Sequence, residues 1–150
     1  MFNTILVAVD QSEAAREAFE LACTVALEDH AALLLVSVLD VANLIAAAGY
    51  DAPYPAETIE IMRDARHQLL HKTKVEAVAK GISVTTALGE GDAVDEILRI
   101  AQENKVGLIC SGTHGRKGLA RLFIGSVAEG ILRRAEVPVL VVRPSGATAR

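Results

Sequence analysis

Five short runs of aliphatic and β-branched residues recur along the chain, at positions 2–9, 32–39, 82–88, 106–111 and 137–142, and an amphipathic stretch separates each from the next. This alternation constrains the fold more than any other feature. Strand–helix–strand repeats give parallel strands joined by right-handed crossovers, with helices on both faces of one sheet. The runs at 2–9 and 32–39 are nearly all apolar, as expected of strands buried on both faces. In the third run Ile82, Val84, Thr86 and Leu88 alternate with Ser83, Thr85 and Ala87, which marks a half-exposed strand near a sheet edge. Pro138 cannot donate to a ladder, so the last run fits an edge or begins at that residue.

The intervening helices carry their own boundary signals. Ser12 is a good N-cap for a helix over 13–28, whose apolar arc is Ala14, Ala18, Leu21, Ala22 and Val25. A long helix over 57–80 places Ile59, Met62, Leu69, Leu70, Thr73 and Ala77 on one arc, with Arg66 as a charged intruder and Gly81 as its stop. Asp92 caps a helix running to Glu103 with Val94, Ile97, Leu98 and Ala101 inward. The last helix, over 127–134, opens with a capping box, Ser126-x-x-Glu129, and turns Ala128, Ile131, Leu132 and Ala135 inward. Residues 42–56 have no clear period and contain Gly49, Pro53 and Pro55; they read as a loop with at most one helical turn, placed to cover a ligand. The final stretch, 144–150, reads as a disordered tail, leaving 1–143 as one domain.

Composition narrows the class. Half of the 150 residues are hydrophobic but only 3% are aromatic, so Val, Leu, Ile and Ala must fill the core. A pI near 5.5 argues against a nucleic-acid binder. Cys23 and Cys110 fall inside apolar elements without CxxC spacing, which favours buried free thiols. The N-terminus enters a strand pattern directly, without a basic leader, and the longest apolar stretch, 31–49, is broken by Ser37, Asp40 and Asn43. The expectation is therefore a cytoplasmic protein with no membrane span.

The chemistry gathers at 112–126, GTHGRKGLARLFIGS, between the fourth strand and the last helix. Glycines allow positive φ and let backbone N–H groups approach an anion, and the helix that follows aims its N-terminal dipole at the same place. Between positions 112 and 134 five Arg and Lys residues stand against a single Glu, in a chain of formal net charge −4. Such a local concentration of positive charge points to an anionic ligand. The loop fits neither GxxxxGK[ST] nor GxGxxG; its pattern is Gly112-x2-Gly115-x9-Gly125-Ser126. A solvated loop with incidental arginines is the bland alternative.

With that spacing, the opening ILVAVDQSE, the segment GEGDAVDEI and the ending GSVAEGILRRAEVPVLVV, the chain resembles the universal stress protein family over nearly its whole length. The resemblance implies an open five-stranded parallel sheet of order 3-2-1-4-5 with helices on both faces, Rossmann-like, and the ATP-binding subgroup that keeps the glycine loop. By matching positions, Gly112, Gly115, Gly125 and Ser126 would hold phosphates, and the amide of Val127 would complete the nest. Asp10 would contact the nucleoside, and the backbone of Val38 would meet adenine. Position 111 is Ser where many relatives carry Met, so the adenosine wall differs there. The implied ligand is ATP, with Mg²⁺ carried by the nucleotide, held as a conformational ligand by a stress-response regulator. Relatives also pair the last strand with its two-fold mate, which implies a homodimer through Val139–Val142, alongside an unidentified protein partner. Two other functions stay open: a slow ATPase or adenylating enzyme on the same fold, and an interaction module with a vestigial loop. His67 and His71, at i and i+4 without a third ligand, read as a solvated helix face; His114 reads as an ordinary loop residue.

Overall fold

The computed structural model describes residues 1–49, 54–113 and 124–145. The elements follow in the order β1 (Thr4–Ala8), α1 (Glu13–Asp29), β2 (Ala32–Leu39), α2 (Val41–Ala48), α3 (Ala56–Ala79), β3 (Val84–Glu90), α4 (Ala93–Glu103), β4 (Leu108–Gly112), α5 (Ser126–Arg134) and β5 (Val139–Val142). All strand pairs are parallel, as the alternation of strands and helices predicts, and the sheet order is β3-β2-β1-β4-β5, the order that the resemblance implies. The alternation of side chains along the strands divides the core in two. Ile5, Val7, Leu33, Leu35 and Cys110 meet α1 and α3 on one face. Leu6, Leu34, Val36 and Ile109 meet α4 and α5 on the other.

The helix boundaries match the residues that signal them. Ser12 caps α1 by accepting the Ala15 N–H at 3.1 Å, and Asp92 caps α4 by accepting the Asp95 N–H at 2.9 Å. Gly81 follows α3 with φ +86°. The half-exposed third strand is an edge strand, and Pro138 immediately precedes β5 at the other edge.

Four expectations are corrected. Residues 41–48 form a two-turn helix rather than loop: Asp40 accepts the Asn43 N–H at 3.0 Å and Gly49 ends the helix at φ +69°. Leu21 is 40% exposed, because the buried arc of α1 is rotated toward α3 and runs through Ala15, Phe19, Cys23 and Ala26. The charged flank of that arc, Arg16 and Glu20, faces α3 and pairs with Glu76 and Lys80. Leu132 is 42% exposed, on the outer side of α5. Finally, the capping box at Ser126 does not form: Gly125 is the N-cap of α5, without a side-chain cap, and Ser126 is already helical. Within the final stretch, Ser145 bonds through both its N–H and its hydroxyl to a Glu17 carboxylate oxygen, at 2.8 and 2.7 Å.

Candidate functional site

Strand order reverses between β1 and β4, whose chains leave the sheet toward opposite faces, and in open α/β sheets ligands sit in that crevice. Four sets of groups meet there. The first is Val38. The β1–β2 ladder ends where the Val9 N–H donates to the Val36 carbonyl at 2.8 Å, after which the chain turns away at Asp10. Alternate residues of a strand point their backbone groups to the same side. The N–H and C=O of Val38 therefore face the place β1 has vacated, and neither has a main-chain partner among the described residues.

The second is Asp10. One of its oxygens accepts the Ser12 N–H at 2.7 Å, which fixes the turn into α1 and orients the half-buried carboxylate. Its second oxygen remains available to an incoming donor.

Gly112 ends β4. A Cβ here would fall 2.6 Å from the Ala14 carbonyl carbon and 2.7 Å from the Ala15 nitrogen. Glycine at 112 is thus required by the first turn of α1, which lies directly against it. The residue before it, Ser111, is only 5% exposed, and its hydroxyl donates to the Gly112 carbonyl at 3.2 Å.

The fourth set is the two ends of the glycine loop. The Thr113 N–H donates to the Val142 carbonyl at 2.9 Å, and the Gly125 N–H donates to the Thr113 carbonyl at 2.5 Å. The loop therefore leaves and re-enters the fold at one point, beside the start of α5. The first intrahelical bond of α5 runs from the Glu129 N–H to the Gly125 carbonyl, at 2.9 Å. The N–H groups of Ser126, Val127 and Ala128 precede it and have no intrahelical acceptor. Ser126 is exposed and its hydroxyl is not committed to a cap. Gly115, His114, Arg116, Lys117 and Arg121 lie outside the described residues.

Cys110, two residues before Gly112, is fully buried, and desolvation pushes its thiol up to about 12. Burial also raises Cys23. Neither is a thiolate near neutral pH, and both are free. Among the described residues no cluster of three or more His, Cys, Asp or Glu is placed to hold a metal. His67 and His71 are exposed on α3. No helix among the described residues is long and apolar enough to cross a membrane.

Sequence reasoning brought Asp10, Val38, Gly112, Gly125, Ser126 and Val127 to this end of the sheet. It missed α2, which begins at Val41 and is capped by Asp40 directly after β2, and the buried Thr113 at the root of the loop. The Asp40–Asn43 spacing is a recognisable N-cap, hidden by the absence of charged residues that would have shown a helical period.

These features define an open, doubly wound α/β protein whose candidate site is the switch-point crevice between β1 and β4. The chain belongs to the universal stress protein family, whose model matches residues 1–143. It is 33% identical over 144 residues to universal stress protein MJ0531 of Methanocaldococcus jannaschii, covering 95% of this chain and 83% of that one. It is 32% identical over 148 residues to universal stress protein YxiE of Bacillus subtilis, covering 95% and 100%. Among solved structures, hypothetical protein MJ0577 superposes with a TM-score of 0.80 at 25% identity, covering 95% of this chain and 96% of that one. A universal stress protein family member from Burkholderia pseudomallei gives 0.76 at 30% identity, with the same coverage. A universal stress protein in complex with cAMP shares the fold, with a TM-score of 0.70 at 23% identity, covering 96% and 98%.

Proposed function

We propose that this protein binds an adenine nucleotide, ATP with its Mg²⁺, in the crevice between β1 and β4, and uses it as a regulatory ligand in the cytoplasm. The observation that carries the reading is the pairing of two unsatisfied sets of main-chain groups across one crevice. The N–H and C=O of Val38 offer a donor and an acceptor to the edge of a base, beside the carboxylate of Asp10 for a ribose hydroxyl. The free N–H groups of Ser126 and Val127, at the positive end of α5, face an anion. A protein of the same fold is described in complex with cAMP, which is in keeping with an adenine nucleotide as the ligand class.

The reading favours holding the nucleotide over turning it over. Rapid hydrolysis needs a positioned water as well as charge at the transition state. Gly112, Thr113, Gly125, Ser126 and Val127, the described residues at the loop's ends, include no carboxylate or imidazole to orient one. Backbone amides that bind ground state and transition state alike add affinity without adding rate. Turnover is expected far below the ~10 s⁻¹ typical of enzymes.

Nucleotide analysis of the purified, denatured protein tests the assignment, followed by titration of the stripped protein with ATP. Retained adenine nucleotide is the expected result. Gly115→Val, at the second glycine of the Gly-x2-Gly-x9-Gly-Ser pattern, should then weaken ATP at least tenfold with the fold intact. Absence of both nucleotide and ATP binding would leave an interaction module with a vestigial loop. Release of phosphate at ordinary enzyme rates, lost in Gly115→Val, would make it an ATPase.

A further inference from the structure

Arg66 is the charged residue on the apolar arc of α3. It shares that arc with Leu70, Thr73 and Ala77, all buried against the sheet. A charge on a core-facing arc costs free energy unless its head group reaches polar partners. The Arg66 side chain is half-buried, and a guanidinium nitrogen donates to the hydroxyl of Ser37 at 3.4 Å. Ser37 is itself only 1% exposed and stands on β2 directly before Val38.

The register of the sheet fixes where that head group lies. Ala8 pairs with Val36, so Val9 falls opposite Ser37, and Asp10 would fall opposite Val38 had β1 continued. Val9, like Leu33 and Leu35, packs on the face covered by α1 and α3, and alternation turns the Ser37 side chain to that face too. Ala65 and Leu69, on either side of Arg66 in α3, line one cavity with Val9 and Asp10. The guanidinium is thus at the carboxyl end of the sheet, on its α3 face, beside the main chain of Val38. A planar group bonded to both the N–H and the C=O of Val38 would take the place of β1 in the ladder and lie near the plane of the sheet. Its two faces would look toward the two helix layers, and the face toward α3 would meet Arg66.

We propose that Arg66 stacks its guanidinium on the purine ring and so helps to recognise the base. The inference rests on the nucleotide reading and names a side chain that acts at its base end. Charge favours a ring over an anion as the partner. Asp10 and Asp40 follow β1 and β2 at this end of the sheet, their carboxylates held by the Ser12 and Asn43 N–H groups. Arg63, three residues before Arg66, pairs with Glu60 and Glu90. Among the described residues there is therefore no surplus of positive charge here for a phosphate, whereas a cation over a ring face needs no charge on the ligand. A planar guanidinium suits such stacking better than an ammonium.

Calorimetric titrations of the stripped protein with ATP, adenosine and inorganic tripolyphosphate test the assignment. Arg66→Met keeps the length of the side chain and removes its charge. ATP and adenosine should both weaken in it by the same factor, about fivefold or more for a desolvated cation–π contact. Tripolyphosphate should behave alike with the wild type and the variant, a result that general damage to the fold would not give. Arg66→Gln should act as Arg66→Met does, and Arg66→Lys, which keeps a cation without the planar fork, should lose less. Circular dichroism and urea midpoints verify that each variant folds. Undiminished adenosine binding to Arg66→Met would overturn the proposal. A loss confined to ATP and tripolyphosphate would do so too, by moving Arg66 to the phosphates. So would a wild-type protein that binds ATP but not adenosine at millimolar concentration, because the base would then contribute nothing. A wild-type protein that binds no adenine nucleotide would remove the nucleotide site itself, and the stacking role with it.

Discussion

A methyl group on Gly112 would overlap the main chain of α1, and main chain at a helix start cannot swing aside as a side chain can. Gly112→Ala should therefore lower stability by about 1–3 kcal/mol, the usual range for overpacking, read as a fall in the urea midpoint. An unchanged midpoint would mean that α1 is not seated against β4 as described. The same overlap makes Gly112 a poor probe of ligand binding, because a loss there would mix folding with recognition. Ser126 separates the two. As the first helical residue, without a capping bond, it should tolerate Ser126→Ala within about 0.5 kcal/mol, whereas a true N-cap would lose about 1 kcal/mol. ATP affinity of the stripped protein should fall in the same variant, since the hydroxyl is lost from the proposed phosphate end. A measurable loss of stability would restore the cap that the sequence pattern Ser126-x-x-Glu129 promised. That pattern misled because Gly125 also fits an N-cap, and a capping box cannot say which of two adjacent residues takes the non-helical position.

Elements were legible wherever a single force set them. The strands at 2–9 and 32–39 needed only apolar continuity, and their parallel direction followed from the helices between them, whereas the order of the strands came from the family resemblance. The exposed side of α1 was harder, because a helical wheel treats every charged residue as solvent-facing. Arg16 and Glu20 instead face α3, where Arg16 pairs with Glu76 and Lys80 with Glu20, and both cations lie over the Phe19 ring at 5.3 and 5.6 Å. That seam makes a pH prediction. The hydrogen bond from Lys80, ahead of the charges of Lys80 and Arg16, holds the Glu20 carboxyl below its ordinary value of 4.5, against an opposing effect of burial. A folded pKa below the unfolded one contributes stability above the unfolded value, and that contribution is lost as pH falls through the folded value. Glu20→Gln should therefore lower the urea midpoint at pH 6 and lower it less at pH 3. The effect is small, no more than about 1 kcal/mol for a surface pair. A gap between the two proteins that is the same at both pH values would show that the Glu20 charge contributes nothing.

The two edges of the sheet face water with different chemistry, and the difference bears on how whole molecules meet. On β3, Thr85 and Thr86 are exposed and polar. On β5, Val139, Leu140, Val141 and Val142 are all apolar and all half-buried, and Leu132 of α5 is exposed. The β4–β5 ladder uses the carbonyls of Pro138 and Val142, which accept from Ile109 and Thr113, so the even residues of β5 point inward. The N–H and C=O of Val139 and Val141 consequently point out of the sheet, an apolar edge unpaired among the described residues and of the kind that associates unless something covers it. We propose that the edge is covered by its own two-fold copy, since an isologous C2 contact closes with a single patch and leaves no further edge on that side. Val141→Pro tests the geometry directly. It removes an outward donor while sparing the inner ladder, and proline is tolerated where a strand N–H faces solvent. Light scattering should show a dimer for the wild type and a shift to monomer for Val141→Pro, with Val141→Lys acting the same way through the side chain. A wild-type protein that is monomeric at high concentration would remove the dimer altogether. A Val141→Pro protein that stays fully dimeric would move the interface away from β5, with the exposed Leu132 side of α5 the next surface to test.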